Sequence, residues 1–430
     1  MAVAQEFLER PALIRLQEDR LRALLSEIVT DNRFYAGKFA RAGLSASSVN
    51  SLEEFRRVPF TTKAELIADQ EAHPPYGEVH TYPLAHYTRF HQTSGTKGQP
   101  LRWLDTPQSW DWLLRCWEIM YRIAGIQSTD RLFFPFSFGP FLGFWSAFDA
   151  GSRLGCLCLP GGGMSSAGRL RFLIDNKATV VLCTPTYAQH LAEVATELGI
   201  DLAGSSIRAV IVAGEPGGSI SATRGRIESA WGARVFDHSG LTEVGAASIE
   251  CPENPAGLHL LESEYIGEVI EPGGTHEVAP GEIGELVLTN LGRYGSPLLR
   301  YRTGDLVRRE TRPCSCGRVF ARFDGGILAR TDDMIQVRGN NVYPSALEAV
   351  IRRFPEVAEY RVEVDQTASL AALRIELEPV TTSSPAAVAE RVERAIRDEL
   401  LFRAEVKTVA PGSLPRYEMK SRRVQVKTKK

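Results

Sequence analysis

Residues 11–29 place Leu13, Leu16, Leu21, Leu24, Leu25 and Ile28 near helical spacing, which predicts an amphipathic helix. From residue 131 onward, short apolar runs alternate with helical stretches. Thr179-Val-Val-Leu-Cys183 and Ala209-Val-Ile-Val-Ala213 are β-branched and apolar on consecutive positions, the pattern of parallel strands covered on both faces. Residues 187–198 and 221–231 read as the intervening helices. This alternation predicts an α/β fold: a large N-terminal domain of parallel-rich sheets flanked by helices. After residue 282 shorter strands follow, Gly284-Glu-Leu-Val-Leu-Thr289 and Asp305-Leu-Val-Arg-Arg309. From Ile335 the pattern is a strand, a helix opened by Pro344, strands near 360–364 and 372–377, a helix over 385–400 and a strand over 404–409. That describes a small α+β domain, so the expected division is 1–329 and 330–430. The end of the chain, Lys420-Ser-Arg-Arg-Val-Gln-Val-Lys-Thr-Lys-Lys430, is basic and by itself reads as a solvated terminus.

A chain of 430 residues exceeds what one core usually supports, which agrees with two domains. A hydrophobic content of 43% and a charged content of 24% exclude a disordered or collagen-like chain. Fifty basic side chains against fifty-two acidic ones leave a charge of −2, so no global field favours nucleic acid or an anionic membrane. The first thirty residues show no signal-peptide pattern. The most apolar stretch, residues 132–148, is broken by Pro135, Gly139, Pro140 and Gly143, too soon for a spanning helix. The seven cysteines are an odd number without a secretion signal. The expectation is a cytoplasmic protein with reduced thiols and neither nucleic acid nor membrane as partner.

The sharpest local signal is Thr93-Ser-Gly-Thr-Lys-Gly-Gln-Pro100. Its glycines permit close backbone approach, its hydroxyls add donors and Lys97 adds a cation, which together suit a polyphosphate. The Walker spacing is absent. Taken alone, such a run is also a common flexible turn.

Wider context changes the reading. His91-Gln-Thr-Ser-Gly-Thr-Lys-Gly98 resembles the phosphate-loop signature of adenylate-forming enzymes, Asp237-His-Ser-Gly-Leu-Thr-Glu243 their second core motif and Tyr301-Arg-Thr-Gly-Asp305 their third. Arg330-Thr-Asp-Asp-Met-Ile-Gln-Val-Arg-Gly339 resembles the hinge motif, and Leu414-Pro-Arg-Tyr-Glu-Met-Lys420 the C-terminal lysine motif. Five motifs in family order are more specific than any one. The histidine before the phosphate loop and the segment Asn341-Val-Tyr-Pro344 look most like the phenylacetate–CoA ligase branch.

The resemblance implies ATP-dependent activation of a carboxylate as an acyl adenylate, followed by transfer to the thiol of CoA. Two anions must react, so fixed donors and cations are needed between them. By resemblance, Thr93, Ser94, Gly95, Thr96, Lys97 and Gly98 hold the phosphates. Thr242 touches the α-phosphate, Glu243 holds Mg²⁺, and Asp305 accepts both ribose hydroxyls with help from Arg330. Gly214, Glu215, Pro216, Asp237, His238 and Ser239 complete the nucleotide site. Lys420 bridges the carboxylate and the α-phosphate. The small domain is implied to be mobile, pivoting at Asp332 to withdraw Lys420 and bring Arg338 and Gly339 to a thiol tunnel. In isolation Asp305 reads as a turn residue, Glu243 as the start of a solvated helix, and Asp332 and Asp333 as a surface loop.

The sequence also departs from the family. Ser239 stands where an aromatic residue usually stacks on adenine, leaving His238 or the Gly214–Pro216 segment to compensate. Ala329 and Met419 replace glycines, and Lys97 a threonine.

Two further groups complete the expectations. Cys251, His259, Cys314 and Cys316 make a Cys₃His set, the composition of a closed structural zinc site. The alternatives are His276 as the imidazole, or simply scattered reduced side chains. The phenylalanine-rich stretch from Phe133 to Trp145 implies, by resemblance, an acyl pocket containing Phe138, Gly139 and Phe141 with Tyr187 and Ala213, suited to an aromatic or compact apolar acid; the alternative is that most of these rings are ordinary core. The expected partners are thus a small carboxylate, ATP and CoA, in a monomer or homodimer. A carrier protein as thiol acceptor and a non-catalytic nucleotide-binding regulator are the alternative readings.

Overall fold

The computed structural model describes residues 4–93, 99–337, 340–365, 372–380, 384–417 and 420–427. The first long helix, Arg10–Asp31, opens with Pro11 and buries Leu13, Leu21, Leu24, Leu25 and Ile28 along one stripe. It also buries Gln17, whose amide donates to the carbonyls of Glu262 and Tyr265 at 2.9 Å each.

An eight-stranded sheet forms the centre. Its order is Arg322–Asp324, Gly257–Leu260, Gly245–Glu250, Arg234–Leu241, Ala209–Val212, Val180–Cys183, Arg131–Phe134, Leu157–Pro160. The last five are parallel. Val180, Leu182, Ala209 and Ile211 face one hydrophobic core, while Val181, Cys183, Val210 and Val212 face another. Both faces are therefore covered, by helices that include Trp145–Leu154, Ser166–Asp175, Pro185–Glu197 and Ser221–Trp231. Beside it lies an antiparallel sheet, Tyr265–Ile270, Ile283–Asn290, Tyr301–Arg308 and Ala329–Arg330.

The C-terminal portion has its own core, running from Ile335 to Ala404, around a sheet ordered Glu405–Thr408, Ala372–Pro379, Val357–Asp365, Val424–Lys427. Here the structure corrects the reading of the basic tail. Val424–Lys427 is a strand, paired in parallel with Val362–Asp365, because Val424 turns onto the C-terminal core while the charges face outward. Glu243 is corrected too: it opens no helix. It sits in the tight turn between Arg234–Leu241 and Gly245–Glu250, where Gly245 takes φ +97°.

All seven cysteines are unpaired thiols, and among the described residues no helix is long and apolar enough to cross a membrane.

Candidate active site

The loop ends of the central sheet and one edge of the antiparallel sheet meet the C-terminal lysine segment. At the base of the phosphate loop, Thr93 is fixed twice to Leu101. Its N–H donates to the Leu101 carbonyl at 2.9 Å and its Oγ1 accepts the Leu101 N–H at 3.0 Å. Ser94, Gly95, Thr96, Lys97 and Gly98 lie outside the described residues, as do Arg338 and Gly339.

Glu243 is buried, and Tyr301 donates its hydroxyl to Oε1 at 2.7 Å. The backbone beneath is set by Arg293, which is fully buried. Its Nη1 donates to the carbonyls of both Thr242 and Glu243 at 2.9 Å, and its other nitrogens grip Asp105 at 2.7 Å twice. Burial alone would raise the Asp105 carboxyl, but Arg293 and His91 outweigh it and hold its pKa low. Sequence reasoning missed both Arg293 and Asp105. A lone arginine in the turn Leu291-Gly-Arg-Tyr-Gly295 carries no signal of its own.

Asp305 and Arg330 face each other in register across adjacent strands, and Arg330 Nη1 reaches Asp305 Oδ1 at 2.7 Å. Arg330 Nε also donates to Asp332 Oδ1 at 3.0 Å. Burial pushes the Asp305 pKa up to about 6, with Asp332 and Glu243 adding and Arg330 opposing.

Lys420 comes to the same place. As a whole the residue is exposed, but its stem runs over Gly214, where a Cβ would lie 3.2 Å from the Lys420 Cε. Withdrawal of its ammonium from water, with Arg330 nearby, lowers its pKa against the pull of Glu215, Glu243 and Asp305. Residues from four of the five motifs thus act on one another. Around them the small domain docks through Arg423 Nη1 to Thr186 Oγ1 at 3.0 Å, Arg416 Nε to Glu193 Oε2 at 3.1 Å, and Arg226 Nη1 to the Val357 carbonyl at 3.0 Å.

The residues expected to complete the nucleotide site make the following contacts. Asp237 packs on Gly218, accepts the Ser219 hydroxyl at 2.6 Å and is pushed up to about 7 by burial. The Ser239 hydroxyl is engaged with Ser248 at 2.5 Å. Pro216 is exposed. The His238 ring packs edge-on against Trp117, 4.7 Å between centroids, and burial holds it neutral with a pKa of about 4. That puts His238 on the aromatic cluster of the expected acyl pocket. There Phe136 contacts Phe138, Phe141 and Phe144 at 5.3, 6.0 and 5.7 Å, and Gly139 leaves room for the Phe141 ring. Ala213 belongs to the core adjoining this cluster. Tyr187 is not brought there: it packs in the opposite core, its hydroxyl held by Arg169 at 2.5 Å and close to Ser166 at 3.1 Å.

Away from the cleft, the structure gathers Cys251, His259, Cys314 and Cys316, all four ligand atoms within 4.8 Å of one another. Cys251 and Cys314 sulfurs are 3.5 Å apart, and Cys316 Sγ is 3.4 Å from His259 Nε2. These are edge lengths of a tetrahedron around an ion with metal–ligand bonds of about 2.0–2.3 Å. His259 Nδ1 donates to the Phe320 carbonyl at 3.0 Å, which leaves the Nε2 lone pair facing the thiols. His276 is not part of the group.

A lysine of the C-terminal portion thus lies over a glycine turn, in the field of a paired carboxylate and a buried glutamate. Residues 339–427 match the family described as AMP-binding enzyme C-terminal domain. The chain is 32% identical to the phenylacetate–coenzyme A ligase of Thermus thermophilus over 434 residues, covering 96% of each. It superposes on 2-hydroxyisobutyryl-CoA ligase in the post-adenylation state with a TM-score of 0.93, at 28% identity, covering 98% of this chain and 91% of the other. Against the thioesterification state of that enzyme the TM-score is 0.75, with 29% identity and the same coverage. The chain belongs to the phenylacetate–coenzyme A ligase family. It is an AMP-forming acid–thiol ligase that joins an acid to CoA through an acyl adenylate.

Proposed function

We propose that the acid is compact and mainly apolar, aromatic or branched, and that the residues gathered in the cleft divide the two half-reactions between them. The observation that carries this reading is the seat of Lys420 on Gly214, within the field of Glu243, Asp305 and Arg330. A carboxylate oxygen of the acid attacks the α-phosphorus and pyrophosphate leaves. Lys420 screens the two anions as they approach, and a cation placed in advance stabilises the charge that builds there. Asp305 accepts the ribose hydroxyls, with Arg330 fixing its carboxylate. Thr242 contacts the α-phosphate from a backbone pinned by Arg293. Glu243, a hard oxygen ligand oriented by Tyr301, suits Mg²⁺, which when bound neutralises phosphate charge. The 94–98 loop supplies the remaining phosphate donors.

For the second half-reaction the small domain pivots at Asp332, Lys420 withdraws, and the Arg338–Gly339 segment comes to the thiol entrance. The thiol sulfur then attacks the acyl carbon and AMP leaves. The aromatic cluster of Phe136, Phe138, Phe141 and Phe144 with Trp117 and His238 supports a short or planar acid. So do the relatives: the Thermus enzyme is named for phenylacetate, and a further structure of 2-hydroxyisobutyryl-CoA ligase in the post-adenylation state is in complex with 2-HIB-AMP. Cys251, His259, Cys314 and Cys316 would hold a zinc ion with no position open for substrate, bracing the loop between the second and third core motifs. The test is pyrophosphate release across a panel of acids, with and without CoA. Turnover confined to long-chain acids would refute the pocket assignment.

A further inference from the structure

Glu215 makes two hydrogen bonds that join the domains. Oε1 accepts the N–H of Thr186 at 2.9 Å, and Oε2 accepts the N–H of Ser421 at 2.7 Å. Thr186 is the second residue of the helix Pro185–Glu197, so the positive end of a 13-residue helix holds the carboxylate in place whether or not the small domain is docked. Ser421 directly follows Lys420. Glu215 is also the first of the carboxylates that act on the Lys420 ammonium. Arg423 reaches the same helix end through Thr186 Oγ1, so both contacts close on one point.

We propose that Glu215 is a positioning residue: a receptor carboxylate, prepared by a helix N-terminus, that seats the Lys420 segment for adenylation by accepting the Ser421 N–H, and that lets go when the small domain turns for thioester formation. The proposal rests on the reading of Lys420 as the adenylation lysine. It assigns to Glu215 a role different from nucleotide contact. A carboxylate beside a polyphosphate is otherwise repulsive, and here both of its oxygens are already engaged by N–H groups, one from each domain. In the proposed swing the Ser421 bond would be lost, so it favours the docked arrangement by its whole free energy.

The experiment compares half-reactions of the full chain. Adenylation is followed by pyrophosphate release with phenylacetate, or with the acid the panel selects. Thioester formation is followed from the supplied acyl adenylate and CoA. In Glu215→Ala the kcat of adenylation falls on the order of 10- to 100-fold, the value of one charge-assisted hydrogen bond, while the KM for ATP stays within a few-fold and thioester formation is spared. Glu215→Gln, whose single carbonyl oxygen accepts but whose amide cannot, falls between. The alkaline limb of the adenylation profile moves to lower pH in Glu215→Ala, because a carboxylate that keeps Lys420 charged is gone. A raised ATP KM with unchanged kcat would make Glu215 a nucleotide ligand. Equal losses in both half-reactions would make it merely structural. Either overturns the proposal. Lys420→Ala, run in parallel, separates the two readings: if it adenylates normally, the lysine assignment fails; if it does not and Glu215→Ala does, only the role of Glu215 fails.

Discussion

Arg330 and Asp305 close a 2.7 Å ion pair across neighbouring strands, and the same guanidinium holds Asp332 two residues further on. The group expected to bind ribose and the residue expected to act as pivot are therefore joined by one side chain. Occupancy of the nucleotide site and freedom of the turn at residues 331–333 share a partner.

Lys420→Ala should suppress adenylate formation by about 100-fold or more, the usual cost of removing a preorganised charge at a developing anion. Thioester transfer from a supplied adenylate should persist. Rapid-quench measurement of the two steps decides it, and parallel loss in both would contradict the division of labour.

Asp305 gives a pH dependence. Its folded pKa of about 6 lies above the ordinary carboxylate value of about 4, so the folded protein binds a proton that the unfolded chain does not between those limits. Its contribution to stability is present below pH 4 and is lost as pH rises through 6. On the proposed ribose role AMP affinity runs the other way, since only the ionised carboxylate would accept both hydroxyls, and it should fall as pH drops through 6. Asp305→Asn should bind AMP weakly and without that slope, as read by calorimetry across pH 5–7.5.

Arg293→Met breaks a buried ion pair and leaves Asp105 alone. The expected loss is about 3–5 kcal/mol in denaturant unfolding. Pairing it with Asp105→Asn should recover part of that loss but not adenylation, since the carbonyls of Thr242 and Glu243 stay unanchored. Full recovery of activity would show that Arg293 does not set the Thr242–Glu243 turn.

Metal analysis of the purified chain should find about one zinc per chain, released on chelation with a fall in melting temperature. His259→Ala should lower the zinc content without changing the KM for ATP. A stable, metal-free preparation would remove the site.

Asp332→Pro fixes φ at the turn and should let acyl adenylate accumulate while thioester output falls. Undiminished output would place the pivot elsewhere.

The elements with strong chemistry or strong periodicity were legible in the sequence. The all-apolar strands 180–183 and 209–212, the helix over 221–231 and the helix–strand order of the small domain follow from pattern alone. Glu243, Asp305, Arg330 and Lys420, which the structure gathers in the cleft, were singled out through the resemblance of their motifs, since each of them alone reads as an ordinary turn or surface residue. What escaped has a physical reason. The hairpin of Arg234–Leu241 and Gly245–Glu250 carries polar motif residues on a strand and bends at Gly245, so its period was obscured. Arg293 works through backbone carbonyls, which leave no trace in composition. His238 follows the alternation of its strand onto the aromatic side, away from the Ser239 position where a stacking residue was sought. The basic tail hid a strand because only Val424 faces the core.

That last strand has a consequence for the end of the chain. Arg416 is tied to Glu378, and Arg423 is tied to Glu359 just before Val424 pairs with Val362. The lysine segment is therefore a bridge moored on both banks, and its far mooring lies downstream of the lysine. Trimming residues 424–430 would keep every motif intact and still cut one of its cables.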